Sequence, residues 1–186
     1  MKIYSLYKKL LKQYEKQNWW PAKTKYEVVV GAILTQNTSW RNVEKALENL
    51  RKEKALNAKK ILGMDLRKLK KLIRPSGFYN QKAKRLKDVT KKYLKLKNGM
   101  SVEELRKELL SVKGIGKETA DSIILYAFEK PIFVIDAYTR RFCKKFGLFE
   151  GKEYDEYREF FESNLPKDVE LYKEYHALIV EWGKRN

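Results

Sequence analysis

The segment Leu109–Asp136, LLSVKGIGKETADSIILYAFEKPIFVID, carries the strongest signal in this chain. Its pattern predicts a helix, a tight turn on Gly114-Ile115-Gly116, a second helix, and a short apolar run that ends at one carboxylate, Asp136. A Gly-x-Gly turn at a helix start suits one DNA phosphate, because glycine permits close backbone approach and the helix start offers unpaired N–H groups. A carboxylate just beyond that turn could act on the neighbouring nucleotide. The pairing indicates an enzyme that works on a base in DNA.

The charge of the chain supports a nucleic-acid partner. The 186 residues include 42 Lys and Arg against 24 Asp and Glu, a net charge of +18. Such an excess favours a polyanion, although a lysine-rich, highly soluble surface would give the same count. No segment reads as a signal peptide or a membrane span. We therefore expect a soluble, cytoplasmic, nucleoid-associated protein with no membrane partner.

The cysteine and histidine counts limit the metal chemistry. Cys143 is the only cysteine, which excludes an internal disulfide and a four-cysteine iron–sulfur cluster, and fits a reducing compartment. His176 is the only histidine. We expect it to be structural, since one histidine without cysteine partners forms no metal site.

Helical periodicity runs through nearly the whole chain and predicts an all-α fold. The capping-box patterns Thr24-x-x-Glu27 and Ser101-x-x-Glu104 mark two helix starts. Pro75 and Gly77 end a short helix. The one strand-like run, 131–135, is too short and solitary to form a sheet. Further helices are predicted over 26–35, 136–146, 153–164 and 168–183.

The hairpin and Asp136 each allow a structural and a functional interpretation. Lys113 and Lys117 would add positive charge at the phosphate, and Thr119 a hydroxyl, but the turn could also be a plain helical corner. Asp136 is a natural N-cap for the helix Ala137–Phe146. A capping carboxylate can also face a cleft and stabilise the oxocarbenium-like state of glycosidic cleavage. The following Thr139, Arg140 and Arg141 are placed to contact backbone phosphates.

Five segments together resemble the helix-hairpin-helix DNA glycosylase superfamily, in particular its endonuclease III-like branch. They are TKYEVVVGAILTQNTSWRNVEKA (24–46), PSGFYNQKAKRL (75–86), SVKGIGKETADSI (111–123), VIDAYTRR (134–141) and HALIVEWGKR (176–185). The resemblance implies two all-α lobes with a cleft between them. Residues 23–132 would form the central lobe with the hairpin, and 1–22 plus 133–186 the lobe with the catalytic Asp136.

Two departures refine the resemblance. Glu118 stands where the bifunctional enzymes carry a Schiff-base lysine, and Lys117 lies one place earlier, so water is the expected nucleophile and β-lyase activity is not expected. The family's cysteine cluster is also missing. Both departures match the 3-methyladenine DNA glycosylase III subfamily, whose Trp-Trp-Pro signature occurs here as Trp19-Trp20-Pro21. The expected activity is excision of alkylated purines in base excision repair.

The resemblance also assigns binding roles. Trp19, Trp20, Pro21 and Trp40, with Glu118, would form the base pocket, since electron-rich indoles favour a cationic alkylated purine; adjacent tryptophans could equally just pack the lobes together. Gln36 would fill the gap left by the extruded base, and Phe78 would wedge into the opposite strand. Carbonyls of Leu110, Val112 and Ile115 would hold a Na⁺ or K⁺ ion. The expected partner is double-stranded DNA with a damaged base, bound by a monomer.

Two alternatives remain open on the sequence. One is a glycosylase for oxidised or mismatched bases, with lyase activity from another lysine. The other is a non-catalytic module that binds damaged DNA through the hairpin. Asp136 argues against pure binding, because a carboxylate near phosphates does not help affinity.

Overall fold

The computed structural model describes residues 2–186, and eleven α-helices and one 3-10 helix account for most of them. In chain order they are α1 (Lys2–Tyr14), α2 (Lys25–Leu34), α3 (Trp40–Lys52), α4 (Ala58–Gly63), α5 (Leu66–Ile73), the 3-10 helix Arg74–Ser76, α6 (Tyr79–Tyr93), α7 (Val102–Leu110), α8 (Lys117–Tyr126), α9 (Ala137–Phe146), α10 (Tyr154–Asn164) and α11 (Val169–Arg185).

The helices divide between two compact units. The hairpin unit is Ala22–Ile123. The aspartate unit combines the residues up to Pro21 with Ile124–Asn186. The chain passes from one to the other within α8, whereas the sequence places that boundary after residue 132. The roles expected of the two predicted lobes, one with the hairpin and one with the catalytic Asp136, stay predictions.

In the hairpin unit, α2 is the central helix, and every residue from Tyr26 to Leu34 is buried. It packs against α3 and α6. Thr24 caps it by accepting a hydrogen bond from the Glu27 N–H at 3.1 Å. The buried Glu27 carboxylate pairs with Arg51 and accepts the Lys23 N–H at 3.1 Å, so its charge is compensated.

Lys82 on α6 joins two loops of the same unit. Its side chain is 1% exposed, and Nζ donates to the carbonyls of Leu34 at 2.7 Å and Ser76 at 2.6 Å. Burial, with the nearby Arg85 charge, lowers the pKa of Lys82 to about 8. A neutral amine still has two N–H donors for the two carbonyls. Lys82 therefore holds the end of α2 against the turn that precedes Phe78.

In the aspartate unit, α11 packs against α1 and α9, and aromatic rings fill the core. Phe133 stacks on Phe161 with ring centroids 4.1 Å apart, and the buried Tyr175 hydroxyl donates to the Ile3 carbonyl at 2.8 Å. The apolar run before Asp136 forms no strand. Instead, the Phe133 N–H donates to Glu162 Oε1 and the Ile135 N–H to the Tyr154 hydroxyl. Side chains of α10 thus replace a sheet partner.

The all-α prediction is confirmed: residues 2–186 contain no β-strand. The Ser101–Glu104 capping box is present at the start of α7. One helix was not predicted: α4, which has six residues and is capped by Asn57. Within the described part of the chain, no helix has the length and apolar character needed to cross a membrane.

Candidate active site and DNA-binding hairpin

The hairpin between α7 and α8 exposes its glycines and buries its apolar residues. Lys113, Gly114 and Gly116 are exposed, whereas Val112 and Ile115 are 7% and 6% exposed and anchor the turn. The Ile115 N–H donates to the Val112 carbonyl at 3.0 Å. The turn is thus fixed from inside, while its outer backbone faces solvent.

The two glycines have different local roles. Gly114 has φ +86°, a left-handed value, and a Cβ there would lie 2.6 Å from Cζ of Arg85. A Cβ on Gly116 would meet nothing within 4 Å. Gly114 therefore serves the fold of the turn, whereas the space beside Gly116 is open to a ligand.

Gln36 and Arg85 brace the hairpin. The Gln36 amide Nε2 donates to the Gly114 carbonyl at 3.2 Å and to Thr119 Oγ1 at 2.9 Å, and Arg85 donates to Gln36 Oε1. Thr119 is 9% exposed, so its hydroxyl serves this network. The predicted roles of Gln36 at the base gap and Thr119 at a phosphate stay predictions.

Phe78 projects from the same unit as an unusually exposed ring. Its side chain is 61% exposed, and its φ of +45° follows Gly77 at +69°. Its carbonyl accepts the N–H groups of Gln81 and Lys82 at the start of α6. The left-handed backbone leaves the phenylalanine ring in water, and an exposed ring of this kind is suited to an apolar contact with another molecule.

Asp136 caps α9 as predicted, and its carboxylate is strongly oriented. Oδ1 accepts the Thr139 N–H at 2.7 Å and the Thr139 hydroxyl at 2.9 Å. Oδ2 lies 3.5 Å from His176 Nε2 on α11. The Asp136 side chain is 15% exposed, so its oxygens are largely held by the protein.

These contacts keep the carboxylate ionised. Burial alone would raise the pKa of Asp136, but His176 and the two Thr139 donors together lower it below its ordinary value. A lowered folded-state pKa means that the charged form, and the stability it contributes, is lost only as the pH falls through that lowered value. Asp136 is therefore a carboxylate throughout the neutral range.

An aromatic cluster lies beside Asp136 in the same unit. It consists of Trp19, Trp20, Tyr126 and His176. Trp19 stacks on Trp20 at 5.0 Å between centroids, and their centroids lie 5.9 and 5.3 Å from that of Tyr126. The Trp19 centroid lies 5.8 Å from that of His176.

The chain segment before this cluster is fixed by a buried acid. Glu174 of α11 is 6% exposed, and its carboxylate accepts the Gln17 N–H at 2.5 Å and the Asn18 N–H at 3.4 Å. The tryptophans therefore follow a segment held to the same helix that carries His176.

The remaining predicted residues occupy varied positions. Thr139 is fully buried and its hydroxyl donates to Asp136, and its predicted contact with a backbone phosphate stays a prediction. Arg140 lies over the Tyr157 ring at 4.5 Å and donates to the Lys152 carbonyl. Trp40, half-buried at the start of α3 in the hairpin unit, donates from Nε1 to Glu44 at 3.1 Å. Pro21 and Glu118 are exposed, and Lys117 is half-buried.

The predictions from sequence did not include four residues that the structure places at these sites. Tyr126 and His176 lie at Asp136, whereas His176 was expected to be only structural. Lys82 and Arg85 support the loops of the hairpin unit. Each acts through a contact between residues that are distant in sequence, such as Asp136 and His176, which are 40 positions apart, so no local pattern indicates it.

The metal prediction concerns backbone atoms. Among residues 2–186, no three His, Cys, Asp or Glu side chains gather as a metal site. The Val112 carbonyl accepts one hydrogen bond, and a carbonyl oxygen has a second lone pair that can face a cation. The monovalent ion expected at the carbonyls of Leu110, Val112 and Ile115 stays a prediction.

The fold and the paired motifs define a helix-hairpin-helix DNA repair protein, and comparison with known proteins agrees. The sequence profile described as "HhH-GPD superfamily base excision DNA repair protein" matches residues 30–167. The chain belongs to this family.

Relatives at several levels of identity support the assignment. A Methanocaldococcus jannaschii protein named "Putative DNA repair glycosylase" is 59% identical over 98% of this chain and 87% of its own length. Thermotoga maritima endonuclease III is 29% identical over 86% of this chain and 73% of its own length. The crystal structure of H. pylori 3-methyladenine DNA glycosylase (MagIII) bound to 1,N6-ethenoadenine superimposes with a TM-score of 0.81 at 40% identity, over 99% of this chain and 94% of that one.

Proposed function

We propose that this protein is a monofunctional DNA glycosylase that removes alkylated purines of the 3-methyladenine type during base excision repair. The observation that carries the proposal is the ionised Asp136 beside the cluster of Trp19, Trp20, Tyr126 and His176. The 40% identity to the H. pylori 3-methyladenine glycosylase supports the same substrate class.

The chemistry of the substrate explains why so few groups are needed. An N3- or N7-alkylated purine is cationic, and it leaves as a neutral base when the C1′–N bond breaks and its electron pair moves to the ring. No general acid is then required. The sugar develops oxocarbenium character, which the Asp136 carboxylate stabilises, and water forms the new C1′–O bond and loses a proton.

The aromatic cluster supports selection of a cationic base. Indole faces attract cations by about 0.5–2 kcal/mol, depending on desolvation. A damaged base is also cheaper to extrude from the stack than a normal one. In our proposal the indole faces of Trp19, Trp20 and Trp40 hold the base, as the family resemblance implies, and Phe78 wedges into the opposite strand.

Lyase activity is not part of the proposal. Glu118, in the first turn of α8, occupies the position where the resemblance locates the lysine of bifunctional enzymes. Lys117 is the neighbouring alternative nucleophile. Water attack at the sugar would leave an intact strand with an abasic site.

The test is base release from a duplex that contains methylated purines. We expect chromatography to identify free methylated purine, with no strand nicking and no adduct after borohydride reduction. Release of only oxidised or mismatched bases, or a borohydride-trapped adduct, would favour the endonuclease III-like alternative. If the protein binds damaged DNA but releases no base at any enzyme concentration, the result would favour a non-catalytic module.

A further inference from the structure

The surroundings of Asp136 contain a chain of polar contacts that runs deeper into the aspartate unit. Asp136 Oδ2 lies 3.5 Å from His176 Nε2, and His176 Nδ1 lies 2.8 Å from the Tyr126 hydroxyl. The Tyr126 hydroxyl also lies 3.3 Å from the Lys173 carbonyl, to which it can donate. His176 and Tyr126 are 4% and 7% exposed, so water does not compete for these contacts.

We propose that His176 is the positioning residue for the Asp136 carboxylate, and that Tyr126 sets the imidazole tautomer that makes this possible. This inference rests on the proposed function. It assigns roles to two residues that touch neither the sugar nor the base.

The tautomer argument follows from the number of protons available. When Tyr126 donates to Nδ1, a neutral imidazole carries its proton on Nε2, and that N–H faces Asp136 Oδ2. An imidazolium can also donate to Oδ2 while Tyr126 donates to the Lys173 carbonyl. In both states the carboxylate has a donor. Without Tyr126, a neutral imidazole could instead turn a lone pair toward the carboxylate.

The two carboxylate oxygens then have separate tasks. Oδ1 already accepts two hydrogen bonds from Thr139, which fixes the end of the side chain to the start of α9. His176 fixes the plane of the carboxylate through Oδ2. A carboxylate held in this way stabilises positive charge at the sugar without reorganising during the reaction.

Nearby charges point to Asp136 as the group that His176 serves. The other acid close to this chain, Glu174, is engaged by the Gln17 and Asn18 N–H groups. Burial, with the charges of Asp136 and Glu174, raises the pKa of Tyr126 well above its ordinary value, so Tyr126 stays a neutral donor. The rings of His176 and Trp19 lie with their centroids 5.8 Å apart.

The experiment uses three variants of the full chain in single-turnover excision of a methylated purine across pH. For His176→Leu we expect a loss of about tenfold at neutral pH, the lower end for a hydrogen bond to a charged group. The acid limb should also move to higher pH, because the ionised carboxylate loses a donor. His176→Gln retains an amide donor and should recover most of the rate.

Tyr126→Phe removes only the hydroxyl, and we expect a loss of about twofold if the two neutral tautomers become equally populated. Tyr172→Phe is the matched control, because it removes another fully buried hydroxyl from the same unit. That variant should keep the wild-type rate and pH profile. Melting temperatures and DNA affinity are measured alongside.

A wild-type pH profile in both His176→Leu and His176→Gln would overturn the inference, as would rate losses that are uniform in pH and follow a lowered melting temperature. If His176→Leu fails to fold, the Gln and Phe variants carry the test. Asp136→Asn separates the two levels of the proposal. An Asp136→Asn variant with wild-type activity refutes the proposed function, whereas an inactive Asp136→Asn with unaffected His176 variants refutes only this inference.

Discussion

The hairpin and the Asp136 site differ in how much of each site is already filled by contacts within its own unit. Asp136 is 15% exposed, two donors of Thr139 bind its Oδ1, and His176 Nε2 lies 3.5 Å from its Oδ2. At Gly116, by contrast, the space around the backbone is open. A group that stabilises a transient charge must be fixed before the reaction, whereas a phosphate site is completed by the phosphate. The comparison predicts that damage to Asp136 affects the rate and damage to Gly116 affects affinity.

The largest effect should come from Asp136→Asn. Asparagine is also a good N-cap and can accept the Thr139 N–H, so α9 should remain intact. Loss of the negative charge should slow base release on the order of 10²-fold or more. Single-turnover kinetics measure the loss, and binding to damaged DNA should be unchanged.

Asp168→Asn is the control for that substitution. Asp168 caps α11 in the same unit by accepting the Leu171 N–H at 2.6 Å, and it has no role in our mechanism. The variant should retain the wild-type rate. Equal single-turnover rates for Asp136→Asn and the wild type would remove Asp136 from catalysis.

The second effect is on DNA affinity. A Cβ at Gly116 meets no protein atom within 4 Å, so Gly116→Val should fold normally yet obstruct a phosphate. We expect affinity to fall by about tenfold, comparable to the loss of one charge-assisted contact, for damaged and undamaged DNA alike. Fluorescence anisotropy at several salt concentrations measures it.

Gly99→Val provides the matched control, because Gly99 is also exposed and surrounded by open space. It lies outside the hairpin, in the connection before α7, and should bind DNA like the wild type. If Gly116→Val binds DNA with normal affinity, the hairpin serves only as a structural connection between two helices.

A third prediction concerns the cationic base. Trp40→Leu keeps apolar bulk but removes the π face, whose attraction for a cation is worth about 0.5–2 kcal/mol. Excision of an N-methylated purine should therefore fall several-fold more than excision of neutral 1,N6-ethenoadenine, if the latter is accepted. Excision rates on the two lesions, with the melting temperature, separate the roles. Equal losses with a lower melting temperature would mean that Trp40 serves only packing.

The smallest effect is on stability and distinguishes the two glycines of the motif. Gly114→Ala forces a side chain into a left-handed conformation, which costs about 1–2 kcal/mol, and displaces Arg85. Urea unfolding should show this loss, and Gly99→Ala should not. An unchanged free energy of unfolding in Gly114→Ala would contradict the structural role assigned to Gly114.

Local chemistry explains what the sequence could predict. Asp136 starts α9 at Ala137, as expected, because N-capping depends on neighbouring residues alone. The buried run before it was recognised by composition, but its pairing with Glu162 and Tyr154 was not. Those bonds depend on how α10 packs, which periodicity does not specify.

The supporting residues of both sites share this difficulty. His176 reads as an ordinary residue of an amphipathic helix, and only tertiary packing brings it to Asp136. Lys82 reads as one of many surface lysines, yet it is buried against the Leu34 and Ser76 carbonyls. The family resemblance suggested residues expected to contact DNA, and the structure adds those that hold them.

The central claim is that the hairpin determines DNA affinity and Asp136 determines the reaction rate. The most direct test is the single-turnover excision rate as a function of enzyme concentration, for the wild type, Asp136→Asn and Gly116→Val. We predict that Asp136→Asn lowers the rate at saturation without changing the half-saturating concentration. Gly116→Val should raise the half-saturating concentration and reach the wild-type rate at saturation. A saturating rate that falls in Gly116→Val, or is unchanged in Asp136→Asn, would contradict the account.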